Sequence, residues 1–96
     1  LNTLLNTYNI SKKIDIEHRT IRRTIEIYKN GFKRLGEIKE IETKNSLNKI
    51  LKAYEINRVQ YFYLITLLKN TEKTVTLKCD IVQALDTLSL LLPKNF

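Results

Sequence analysis

Two glycines and one proline are all the strong chain breakers among 96 residues. These two residue types are the main local punctuation of a sequence. A chain with so few of them is committed to regular elements joined by short connections, and long linkers are not expected. This length predicts one domain over residues 1–96. Such a domain buries only about 60–65% of its unfolded surface, so the core is expected to be thin. Hydrophobic residues at 43% and charged residues at 28% fit a folded, soluble domain, not a disordered tail. The sequence begins at Leu1 instead of Met, which leaves room for a further domain.

The apolar pattern divides the chain into elements. Residues 7–14 predict a short helix, with Thr7 as N-cap and Ile10 and Ile14 on one face. Asp15 and Ile16 break the pattern and predict a tight connection. Residues 17–30 predict a second helix. Ile21, Ile25 and Tyr28 form its apolar stripe, and Arg19, Arg22, Arg23 and Glu26 form its polar face. Asn30-Gly31 predicts a stop. From Lys33 to Asn57 the period changes. Ile50, Lys52, Tyr54 and Ile56 alternate with Leu51, Ala53 and Glu55, and the Thr43-Lys44-Asn45-Ser46 run is turn-rich, so a β-hairpin with a polar tip is expected.

Asn57 and Gln60 have the spacing of a capping box. The helix behind it, 58–69, is apolar nearly all round and is expected to be buried. Thr71 or Thr74 can cap a last helix running to about Leu92, with Val75, Cys79, Val82, Leu85 and Leu88 as its buried stripe and Pro93 as its stop. The expected fold is α+β, mainly α. It is a winged helix-turn-helix with two N-terminal helices, a β-hairpin and two C-terminal helices.

The net charge of +7 is unevenly spread. Residues 1–34 hold eight basic against three acidic side chains, 35–57 hold four of each, and 58–96 hold five against three. Four of the five arginines lie in the first segment. A localised, arginine-rich segment suits a polyanion. In a helix-turn-helix the second helix enters the major groove, while the first crosses the backbone. Arginine reads guanine with two hydrogen bonds. His18, Arg19, Arg22 and Arg23 are therefore the candidate groove residues, and Lys12, Lys13 and Thr20 the candidate phosphate contacts. Lys44, Asn45 and Lys49 would reach a flanking phosphate or minor groove from the hairpin tip. His18 has an alternative role in bonding the backbone or packing on the turn, and Arg22 could pair with Glu26 at i, i+4.

Other function classes find little support. One cysteine, Cys79, and one histidine cannot build a structural zinc site or an internal disulfide, so no metal or cofactor is expected and a reducing cytosol is compatible. Cys79 itself reads as a small buried hydrophobe. The longest apolar run, Tyr61–Ile65, is far short of the roughly 18 residues of a membrane span. Glu37, Glu40 and Glu42 are the only clustered carboxylates, and a polar wing gives them little enclosure for acid–base work. No phosphate loop or nucleophile–histidine–acid set is present, so no enzymatic activity is expected.

The stretch Ile10 to Ile21, continuing through Ile25, Tyr28 and Phe32, resembles the opening of phage regulatory proteins of the Rha family. Tyr54-x-Ile56-Asn57-x-x-Gln60 with Leu64, Leu67 and Leu68 is similar to that family's entry into its next helix. Asn70-Thr71, Val75, Leu77-Lys78, Ile81-Val82 and Leu85 are similar to its last helix. Asp15 stands where the family commonly has Gly, Arg58 where it usually has Glu, and Leu85 at an aromatic position. The resemblance implies a phage- or prophage-encoded regulator of lysogeny or host interference. Double-stranded DNA is the expected partner. The Leu64–Leu68 and Leu85–Leu92 surfaces predict a homodimer matching a two-fold operator. The alternative is an antirepressor-like module that captures a host or phage repressor protein through the C-terminal apolar helices. A third possibility is binding to RNA, with a preference for single strands or hairpins.

Overall fold

The computed structural model describes residues 3–89, within which lie five helices and a three-stranded antiparallel sheet. In chain order these are β1 (Leu5–Asn6), α1 (Thr7–Ile14), α2 (His18–Ile27), α3 (Lys29–Leu35), β2 (Lys39–Lys44), β3 (Ile50–Ile56), α4 (Arg58–Leu67) and α5 (Glu72–Ser89). The expected α+β, mainly helical class is what the chain adopts, and the arrangement is of winged-helix type. It contains one helix and one strand more than the sequence pattern suggested.

The hairpin pairs β2 with β3 from Lys39↔Glu55 to Lys44↔Ile50. The added strand, β1, is only two residues long and pairs Leu5 with Ile56 and Asn6 with Glu55. It places β3 in the centre of the sheet. The base of β3 is consequently buried at successive residues, Ala53 and Tyr54, whose side chains point to opposite faces.

The core joins Ile10, Ile14 and Ile16 of the first turn region to Ile21, Ile25, Phe32, Ile56, Leu64, Ile65 and Leu68. Leu64 and Leu68 are thus core residues, not part of an outer apolar surface. The expected stop at Asn30-Gly31 does not occur. The helical path bends at Tyr28 (φ −104°, ψ 30°) and resumes as α3, with Phe32 fully buried and Tyr28 exposed. Gly31 lies inside this helix because the Tyr63 ring crosses it. An added Cβ would meet the Tyr63 hydroxyl and lie 2.8 Å from two ring carbons. Gly36, at φ +153°, is the residue that ends α3.

Two caps follow from side-chain chemistry. The expected capping box forms: Asn57 Oδ1 accepts from Gln60 N (2.7 Å) and Gln60 Oε1 accepts from Asn57 N (2.8 Å). The N-cap of α1 is Asn6, whose Oδ1 accepts from Tyr8 N, and Thr7 is instead its first helical residue and fully buried. The largest departure is α5. Val75, Val82, Leu85 and Leu88 are exposed, as is Cys79, so the predicted buried stripe faces outward. Thr74, Leu77 and Ile81, about a quarter-turn round the helix, face the body instead. Residues 90–93, assigned above to the end of this helix and its stop, lie outside the described residues. No helix among the described residues is long and apolar enough to cross a membrane.

Candidate nucleic-acid interface

Asp15 shapes the connection between α1 and α2. It adopts the left-handed conformation (φ 61°, ψ 44°), and the next residue, Ile16, donates from its N–H to Ser11 O and buries its side chain. Asp is among the few non-glycine residues that enter this region at modest cost. The turn is short enough that α2 restarts at His18 and packs directly against α1.

Around α2, successive side chains are about 100° apart. Ile21 and Ile25 point into the core. Arg19 and Arg23 lie on the opposite side and are exposed, with Thr20, Glu26 and Ile27 flanking them. His18 and Arg22 occupy the half-buried flank toward the sheet. The predicted groove residues therefore divide into an outward pair and an inward pair.

His18 is tied to the body. Its Nε2 lies 2.8 Å from Thr7 Oγ1, and Thr7 Oγ1 in turn accepts from Tyr54 N (3.0 Å). The imidazole also meets the Tyr8 ring edge-on at 5.6 Å. Burial, and then the nearby Arg22 guanidinium, lower the pKa of His18 below its ordinary value. Both effects disfavour the imidazolium. In the neutral ring Nε2 can accept the Thr7 hydroxyl proton, which joins the start of α1, β3 and the start of α2 in one chain of hydrogen bonds.

The alternative Arg22–Glu26 ion pair does not form. Glu26 instead accepts from the Tyr54 hydroxyl (3.0 Å), and burial followed by this hydrogen bond raises the pKa of Tyr54. Arg22 Nε is buried without a hydrogen-bond partner. Among the described residues the ion pairs are Lys39–Glu55 (4.0 Å) and Lys52–Glu40 (3.3 Å), both within the hairpin. Arg19 and Arg23 enter neither.

The candidate phosphate contacts are also divided. Lys12 Nζ sits 4.7 Å from the centre of the Tyr8 ring, which also meets His18. Lys13 points the other way and lines the clefts against Glu72, Thr76 and Leu77 of α5 and against Tyr61 of α4. Thr20 is exposed beside Arg19. Lys44 and Lys49 flank the wing tip, where Asn45 Oδ1 accepts from Leu47 N and Lys49 N and Asn48 is left-handed (φ 64°). Sequence reasoning counted the exposed Lys29, Lys33 and Arg34 of α3 in the basic segment but left them out of the candidate site, with Lys33 and Arg34 beyond its expected helix stop. Phe32, seven residues beyond Ile25, was the signal that the buried stripe continues.

These features define a small domain of winged-helix type with a basic second helix. Residues 5–89 match the family model described as phage regulatory protein Rha, and the chain belongs to that family. Comparisons with curated proteins and with solved structures found no match.

Proposed function

We propose that this phage regulatory protein is a transcriptional regulator that binds double-stranded DNA in the bacterial cytoplasm, without enzymatic activity or cofactor. The reading rests mainly on Arg19 and Arg23, which project from the outer face of the second helix of a tight helix-turn-helix and are not engaged by a carboxylate. Two guanidinium groups so placed can make paired hydrogen bonds to guanine edges in a major groove. Lys12 and Thr20 flank them for phosphate contact, and Lys44 and Lys49 extend the contact from the wing. His18 orients α2 through Thr7, and Arg22 supports the same flank. Lys13 faces α5 and is the weakest of the proposed contacts.

Fluorescence anisotropy with random duplex DNA over a salt series tests this. Neutralising about four phosphates per protomer gives log K a slope near −3.6 against log salt. The Arg19→Ala/Arg23→Ala variant should lose most of this binding while keeping its helical circular dichroism. Undiminished binding by a folded variant would remove α2 from the role of reader. Preference for single strands or hairpins in the same assay would favour RNA.

The rival reading, an antirepressor-like module that captures a repressor protein, draws on the exposed Val82, Leu85 and Leu88 of α5. It predicts that the wild-type chain ignores duplex DNA at every salt concentration.

A further inference from the structure

The geometry points to a phosphodiester seat in the cleft between α3 and the wing, held by Lys29 and Lys33; this rests on the DNA-binding reading above. The cleft has a volume of about 240 Å³ and is lined by Lys29 and Lys33 together with Glu26, Ile38, Glu40 and Tyr54. Its charges are not balanced against each other. Glu40 is paired with Lys52 Nζ at 3.3 Å, while Glu26 accepts from the neutral Tyr54 hydroxyl at 3.0 Å and keeps its charge. Neither Lys29 nor Lys33 has a hydrogen bond or ion pair among the described residues. With Glu40 paired to Lys52, two unpaired ammonium groups face the single carboxylate of Glu26, and this surplus of positive charge suits an anion.

The spacing strengthens the case. Lys29 and Lys33 are at i and i+4 on one helix, where like charges repel and destabilise the fold. A phosphate oxygen between them relieves that repulsion. Position identifies the source of the phosphate. Glu26, on the wall of the cleft, follows Arg22 and Arg23 by one turn of α2, and Ile38 and Glu40 lead into the wing. The cleft thus joins the end of α2 to the base of the wing, so a duplex engaged by both elements would carry a backbone strand past it.

The test measures duplex binding by wild type and by Lys29→Gln/Lys33→Gln across a potassium chloride series. Both lysines are exposed, so the variant should melt at or slightly above the wild-type temperature. One neutralised phosphate counts about 0.9 in the salt slope, so the slope should become shallower by about that amount. The preferred sequences in a selection from random duplexes should not change, because phosphate contacts carry no base information. Wild-type binding with an unchanged slope in the variant overturns the seat but leaves α2 as reader. Absence of wild-type duplex binding overturns both. Inorganic phosphate is the control at constant ionic strength. Saturable, lysine-dependent binding of phosphate alone, with an unchanged duplex slope, would identify a free-anion site and also overturn the proposal.

Discussion

At the scale of single residues, Gln60 does more than complete a cap. Besides its bond to Asn57 N, its Nε2 donates to Phe32 O and Gly36 O, each at 2.9 Å, and the side chain is fully buried. It thereby satisfies carbonyls at the end of α3 that no helical partner reaches. Gln60→Glu keeps the acceptor facing Asn57 N but turns an oxygen toward those carbonyls. Buried groups left without partners cost about 1–3 kcal/mol each. The variant should lose about 2–4 kcal/mol at neutral pH by urea denaturation, and recover part of it in acid as the carboxyl is protonated and donates again. A loss no larger than that of an exposed substitution would mean that water replaces the amide. Asp15 poses a milder problem, because its left-handed backbone suits Gly. Asp15→Gly should be neutral or stabilising by up to about 1 kcal/mol, whereas Asp15→Val should cost at least that much, because a β-branched side chain fits this region poorly. Matched denaturation curves decide, and equal stability of the two variants would count against the turn as described.

At the scale of elements, the Thr7–His18 contact makes the α1–α2 junction sensitive to pH. The folded state holds His18 below its ordinary value, so the unfolded chain binds more protons in mild acid. Stability is therefore fully present above the unfolded value of about 6.5 and declines as pH falls through it. Protonation would also leave the Thr7 hydroxyl hydrogen without its acceptor in a buried site. Urea midpoints between pH 8 and pH 5 should fall more steeply for wild type than for His18→Gln, and parallel profiles would exclude the junction as their cause. The sequence shows this junction only in part. Periodicity revealed α1, α2 and the hairpin, and the Asn57–Gln60 spacing revealed the cap, because each is set by local residue order. A two-residue strand such as β1 leaves no periodic trace. The bend at Tyr28 was hidden because Gly31 reads as a stop unless the ring of Tyr63, more than thirty residues away, is known to lie over it. On α5 two apolar stripes compete, and only the position of α4 selects the one containing Leu77 and Ile81. At the interface, the arginines of α2 were legible as a set, but their division into outward Arg19 and Arg23 and flanking Arg22 depends on where the sheet lies.

At the scale of the whole molecule, α5 is longer than its support. Eighteen residues extend about 27 Å, while the ten of α4 extend about 15 Å. The half of α5 from Ile81 carries Val82, Leu85 and Leu88, exposed by 63, 59 and 54%, with Leu85 and Leu88 sharing an open apolar cleft with Tyr61, Phe62 and Ile65 of α4. The last nine residues of α5, from Ile81, contain a single ionisable side chain, Asp86. Two copies of a strongly basic chain can approach there with less repulsion than at either the α2 or the wing surface. The proposed regulator is therefore expected to form a two-fold dimer through this half of α5, matching a two-fold operator. Sedimentation should show a dimer for wild type and a monomer for Leu85→Glu/Leu88→Glu, since each new carboxylate would have to be buried against its symmetry mate. The variant should bind an isolated half-site as wild type does. On an inverted repeat it should lose the added affinity that comes from linking two sites, commonly 10²-fold or more. A wild-type chain that remains monomeric at about 100 μM, both free and on the inverted repeat, would leave the outer face of α5 to a different protein and favour the antirepressor-like reading; that threshold lies well above the micromolar Kd that about −8 kcal/mol of association would give.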